Sequence, residues 1–352
     1  MLKKYLKFIS LSLVIALVTV GCSQNQAPQT TPKSSRSANK IIPCVFTANE
    51  KGSISKVSTL TNKVVDTIRI RGKAHNVQIS PDKKILGVTN ILPESNSNDK
   101  TMKNMVSNGY AVFYNADTDA LVKKVQVGAH PAHIDFTGDG KNVLVTNNMS
   151  NNISVISTSD YKVKKTIGVG NGPHGFRISK DNKFAYVANM GEDTVSVVDI
   201  AAGKELRKVK VGNTPITTAV TSDGNTLLAT VNSENALAIV NLSTDSVVKV
   251  FVGAGPAQVY LSPDDKYAFV ANQGTETKPS NTVTKIDIQN KTVAATITVG
   301  KGAHGVVVSD DNKFTYVTNM YDNTVSVINN ANDKVVSTIT VGGVPNGITF
   351  KK

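Results

Sequence analysis

Lys313-Phe314-Thr315-Tyr316-Val317-Thr318-Asn319, followed after a short polar turn by Asn323-Thr324-Val325-Ser326-Val327-Ile328, decides the fold. An apolar run closed by Asn, a turn and a strictly alternating run predict two strands of an antiparallel ribbon. The pattern returns at Phe184 to Ile200, Asn142 to Ile156 and Tyr267 to Ile288, with looser copies elsewhere. Its closing Asn is placed at Asn49, Asn90, Asn147, Asn189, Asn232, Asn272 and Asn319, in steps of 41, 57, 42, 43, 40 and 47 residues. A period near 40 built of four short strands is the signature of a propeller blade.

Working outward from that stretch, each repeat offers four strand-like runs, a to d, with a innermost. In the last repeat these are His304 to Ser309, Phe314 to Asn319, Val325 to Asn329 and Val335 to Val341. The turn between a and b recurs as Ser80-Pro81-Asp82-Lys83, Thr137-Gly138-Asp139-Gly140, Ser179-Lys180-Asp181-Asn182 and Ser262-Pro263-Asp264-Asp265. Ser and Asp bond back to the local backbone there, so these acids are read as turn formers. Seven d-type runs can be counted, and seven a-type runs out of phase with them. The body begins with strand b (Pro43 to Asn49) and ends with strand a (Asn346 to Phe350). Pairing the C-terminal strand with the N-terminal strand removes two open sheet edges. The expectation is an all-β, seven-bladed β-propeller with four antiparallel strands per blade, over residues 41–352.

Tyr186-Val187-Ala188-Asn189, Tyr316-Val317-Thr318-Asn319 and the alternating runs after them resemble the YVTN family of β-propeller repeats. The resemblance covers nearly everything from Ile41 to Lys352. It implies this architecture and an exported or surface-associated protein. It does not choose a reaction, because one fold hosts many chemistries.

Residues 1–21 have the form of a signal peptide: Lys3, Lys4 and Lys7, an uncharged apolar run from Phe8 to Val20, then Gly21-Cys22. Thr19-Val20-Gly21-Cys22 resembles a bacterial lipobox, with Thr19 where Leu is usual, and implies lipid attachment at Cys22. Residues 22–40 are Gln, Ser, Thr, Pro and Lys with little that is apolar, which predicts a flexible tether. The expected location is the extracytoplasmic face of the cell membrane, held by that lipid anchor.

Cys22 and Cys44 are the only cysteines, so no disulfide framework is available once Cys22 carries lipid. Cys44 sits in an apolar run and is expected to be a buried, inert thiol. The formal charge of +13 falls to about +7 in the folded body, because six basic residues and no acids precede Ile41. The rest are single lysines in turns. With no basic helix and no aromatic-interleaved basic stripe, nucleic-acid binding is not expected.

Chemistry-bearing residues gather in one kind of place. His75, His130, His133, His174 and His304, all five histidines, lie in or beside the junction from strand d to strand a. In a propeller that junction lies at one mouth of the central channel. Aligned on the Pro of the junction, His75, His174 and His304 hold one position, His133 comes one residue later and His130 two earlier. Met149, Met190 and Met320 follow the repeated Asn, in loops opening on the same face. Imidazole suits zinc, copper, nickel or iron, and thioether biases toward cuprous copper. Glu50, Glu192 and Glu234 also follow the repeat and could reach that mouth. Two insertions are candidate binding loops: Ile91 to Gly109, with Ser97, Lys100, Met102 and Met105, and Gln273 to Ser280, with Glu276 and Lys278.

Three functional readings stay open. The first is a binding or interaction scaffold that engages a ligand or partner through the loop-rich face. The second is a metal-dependent redox or metal-handling protein of copper, zinc or haem type. Nitrous oxide reductase and the haem domain of cytochrome-type nitrite reductases use channel-mouth His in related propellers, although no Cys-x-x-Cys-His is present here. The third is a lyase or lactonase, as in other seven-bladed propellers. No Gly-x-Ser-x-Gly elbow or His-Glu-x-x-His helix occurs.

Overall fold

Seven four-stranded antiparallel sheets stand in a ring, each ordered from an inner strand to an outer one. The computed structural model describes residues 43–92 and 108–352. Blade one is built from both ends of that body. Its inner strand is Pro345–Lys351, followed outward by Cys44–Asn49, Ser53–Ser58 and Lys63–Arg69. Val45 pairs with Phe350 and Thr47 with Ile348, so the ring closes as the sequence predicts. Blades two to seven follow in chain order, with inner strands Lys73–Ile79, Pro131–Phe136, Pro173–Ile178, Pro215–Val220, Pro256–Leu261 and Ala303–Val308.

The core lies between blades. Alternation along each strand gives every sheet two apolar faces, and each packs on a neighbour. Val195, Val197 and Val209 of blade four meet Leu227, Ala229 and Ala238 of blade five in one buried cluster. Val45 and Val57 of blade one meet Tyr316, Val325 and Val327 of blade seven in another, which seals the ring. Each such side chain contributes roughly 1.5–3 kcal/mol when fully buried.

Polar groups repeat with the same regularity. In the a–b turns Ser80, Thr137, Ser179, Thr221, Ser262 and Ser309 each donate to the Asp two residues on, over 2.5–2.7 Å. These acids are turn formers. The repeated Asn works as a clasp: Asn189 donates to Thr194 Oγ1 at 3.0 Å and Ser196 Oγ at 2.8 Å, and Asn319 to Thr324 and Ser326.

Blade five corrects one assignment. Pro215 pairs with Val231, as Pro173 pairs with Asn189, so Val231 holds the clasp position. Asn232 opens the short 3-10 turn that follows. The clasp is replaced by an apolar set, since Ala236 and Ala238 stand where blade four has Thr194 and Ser196.

Candidate metal centre

Every inner strand carries a β-bulge near its start. In blade three, Pro131 pairs with Asn147 and Ile134 with Val145, leaving Ala132 and His133 against the single residue Thr146. In blade four the doubled residues are His174 and Gly175, and in blade two His75 and Asn76. A bulge re-aims neighbouring side chains. It absorbs the one-residue offset of His133, which joins His75 and His174 although its place in the strand differs.

Threonines lock these bulges from blade to blade. Thr89 accepts from the N–H of Asn76 at 2.9 Å and donates to the carbonyl of Ala132 at 2.8 Å. Thr146 accepts from the N–H of His133 at 3.0 Å and donates to the carbonyl of His174 at 2.6 Å. A relay of two hydroxyls therefore ties the backbones of the strands that carry His75, His133 and His174.

The three imidazoles converge, with one ligand nitrogen from each lying within 4.8 Å of the others. Ring centroids are 5.0 Å apart for His133 and His174, 5.4 Å for His75 and His174 and 6.2 Å for His75 and His133. Nε2 of His75 faces Nε2 of His174 at 3.4 Å. Their other nitrogens both meet acceptors. Nδ1 of His75 lies 2.8 Å from Oε1 of Glu50, and Nδ1 of His174 lies 3.1 Å from the carbonyl of Ile216. Each Nδ1 therefore carries a proton, and the two Nε2 atoms face each other with room for at most one more proton between them. Neither nitrogen of His133 has a partner among the described residues, although the ring is buried. Burying the His133 nitrogens without partners costs free energy, which a cation bound by the three rings would offset.

Electrostatics keep His133 and His174 neutral. Burial first, and the His75 ring second, hold His174 down at about 3. Burial and then His174 push His133 well below the usual imidazole range. Burial would raise the carboxyl of Glu50, but the hydrogen bond and charge of His75 and the amide of Asn346 outweigh it and hold Glu50 at about 2. Asn346 Nδ2 donates to Glu50 Oε1 at 2.9 Å, so the last strand of the chain fixes the carboxylate.

Other candidate residues lie apart from this convergence. His304, buried on the inner strand of blade seven, has Nδ1 3.5 Å from the amide nitrogen of Gln258; burial first, then His75, holds it at about 4. His130 precedes its strand in the left-handed region at φ 52°. Met149 is 60% exposed, Met190 borders a surface pocket with Glu192 and Thr214, and the Met320 sulfur accepts from Gln273. Glu192 pairs with Lys208 and Glu234 with Lys249. Glu276 and Lys278 sit exposed in the tight loop joining Tyr267–Gly274 to Pro279–Asp287. Ser97, Lys100, Met102 and Met105, like Cys22, lie outside the described residues.

Sequence reasoning did not single out Asn346, Asp135 or Arg177. Asp135 and Arg177 stand on the inner strands of blades three and four, two residues beyond the bulge. Burial pushes the Asp135 carboxyl up to about 6 against the pull of Arg177. A lone charge flanked by Ile134 and Phe136, or by Phe176 and Ile178, was the available signal.

A family model for YNCE-like beta-propellers matches residues 102–279. The chain belongs to that family. This propeller is similar in fold to hydrazine synthase from Kuenenia stuttgartiensis, at TM-score 0.67 and 22% identity, covering 78% of this chain and 89% of that one. A candidate 6-phosphogluconolactonase from Bacteroides fragilis matches at TM-score 0.67 and 16% identity, over 90% of this chain and 100% of its own. A second from Bacteroides uniformis matches at TM-score 0.69 and 14% identity, over 88% and 100%. No curated protein matches the sequence. At these identities the structural likeness extends to the fold alone.

Proposed function

We propose that this propeller binds one divalent transition metal ion, zinc or copper, through His75, His133 and His174, and that it does so on the extracytoplasmic face of the cell membrane. The observation that carries the metal reading is the 3.4 Å approach of two Nε2 atoms whose Nδ1 partners are both acceptors. Two imidazole nitrogens bound to a tetrahedral zinc stand roughly 3.3–3.4 Å apart. One edge of a coordination polyhedron is thus already set, and the unpartnered His133 supplies the third ligand by a small ring movement. Three protein ligands leave a position open to a small molecule entering the channel. The Glu50–His75 contact is the outer-shell carboxylate that orients a metal-bound imidazole.

Three rings converging on one point form the donor set of a single ion; haem iron offers only two axial places. The location rests on the basic and apolar run before Cys22 and on the polar tether after it. The scaffold reading is kept in narrower form, as small-ligand binding at the open metal position.

The test is a zinc or copper(II) titration of chelator-treated protein, followed by calorimetry and elemental analysis. One equivalent is expected, retained in His304→Ala and lost in His133→Ala. Absence of stoichiometric binding in the wild type, or full binding in His133→Ala, would remove the proposal.

A further inference from the structure

Beneath the imidazoles the inner strands supply a second ring. Gln78, Asp135, Arg177, Ala219, Tyr260 and Thr349 hold the same register, each paired with the residue three before the clasp position of its blade. Arg177 of blade four lies over the ring of Tyr260 in blade six, 5.5 Å from its centroid. Blade five puts only Ala219 between them, so the guanidinium reaches past a small side chain.

That guanidinium is short of partners. It donates to the carbonyl of Phe176 at 3.0 Å and forms no ion pair among the described residues. Asp135, in the next blade, accepts the N–H of Phe136 at 2.9 Å and does not pair with it. Arg177 is half-buried, and a partly desolvated cation held by one carbonyl and one aromatic face gains from an anion that reaches it. A second donor stands two blades away in the same ring, on the far side of Asp135. Thr349 donates to Oε1 of Gln78 at 2.5 Å, which leaves the amide N–H groups of Gln78 available.

We infer that this ring is a subsite for a small oxyanion, a carboxylate or phosphate group, taken by the planar fork of Arg177 with help from the Gln78 amide and the Tyr260 hydroxyl. The guanidinium matches such groups through two parallel N–H bonds. Arg177 follows His174 on one inner strand and Gln78 follows His75 on another, which sets the subsite along the channel from the triad. A ligand with its oxyanion here has its other end near the metal position. The subsite stands on its own geometry and does not need the metal.

The experiment is a thermal melt of chelator-treated full-length protein against rising sodium acetate or sodium phosphate, with chloride holding ionic strength constant. A saturable rise in Tm with at least one oxyanion is expected, unchanged in His133→Ala and lost in both Arg177→Gln and Ala219→Leu. The second variant fills the channel without touching the charge, so it answers for any folding defect of the first. A response to acetate alone assigns a carboxylate ligand, and a response to phosphate alone a phosphate ligand. No saturable rise in the wild type, or a rise that survives both variants, overturns the inference. Because the melts are run without metal and in His133→Ala, the outcome is separate from the fate of the metal centre.

Discussion

Oε1 of Glu50 in blade one meets Nδ1 of His75 in blade two at 2.8 Å, which makes the blade junction part of the proposed metal centre. Glu50→Gln keeps the shape and removes the charge. Loss of an outer-shell carboxylate typically weakens metal affinity 10–100-fold. A competition titration against a chromophoric chelator is expected to read a loss in that range, and the metal-free protein is expected to melt lower as well, because the contacts that hold Glu50 at about 2 are weakened. Equal affinities in the two proteins would show that Glu50 does not orient the ligand.

Closure makes the C-terminal strand indispensable. Removing residues 345–352 uncovers one edge of Cys44–Asn49 and takes Ile348 and Asn346 out of the channel wall. Whole domains are stable by only about 5–15 kcal/mol, and a few buried side chains at roughly 1.5–3 kcal/mol each reach the lower end of that range. The truncated chain is expected to be recovered insoluble or without a cooperative melt by circular dichroism. A melt within a few degrees of the full chain would mean that blade one holds without its inner strand.

Much of this architecture is legible in the sequence because the blade is a local unit repeated. The stretch Lys313 to Ile328 is enough to count blades and to foresee that Asn346 to Phe350 completes the first. Val231 escapes such a reading because the polar Asn232 stands beside it, and only strand register separates them. The histidine-bearing junctions are also visible as sequence. The choice of His133 rather than Ala132 as the group facing His75 and His174 is set by the bulge, which leaves no composition signal. The grip of Glu50 and Asn346 on each other depends on closure, since 296 residues separate them.

Cys44 offers a direct measure of how tightly blade one is held. The thiol is buried, 1% exposed, on the strand that pairs with the C-terminus, and burial pushes it up to about 11. The reactive species is the thiolate. At pH 8 native protein is expected to resist a thiol reagent and to react at once in denaturant. Rapid labelling under native conditions would show that the first and last strands separate readily.

The anchor proposed at Cys22 has its own readout. Cys22→Ala is expected to abolish fatty-acid labelling and either release the protein or leave an uncleaved precursor. Unchanged lipid labelling in cell fractions would remove the lipoprotein assignment.

The last prediction uses the blade whose clasp position is not Asn. Asn189→Val places in blade four the residue that blade five carries at Val231. Alone it leaves the hydroxyls of Thr194 and Ser196 without the amide that bonds them at 3.0 and 2.8 Å. A buried polar group left unpaired costs about 1–3 kcal/mol, whereas replacing both partners by apolar groups can be nearly neutral. Blade five follows that second course, with Ala236 and Ala238 facing Val231. The triple variant Asn189→Val, Thr194→Ala, Ser196→Ala is therefore expected to be more stable than Asn189→Val alone. It should not recover fully. Ser196 Oγ also accepts the N–H of Gly170 at 3.2 Å, a bond that blade five replaces with one from Gly212 to the carbonyl of Asp193. Denaturant melts of the wild type, Asn189→Val, the Thr194→Ala, Ser196→Ala pair and the triple variant measure the coupling. Losses that simply add across the three positions would show that the Asn clasp is not a cooperative unit.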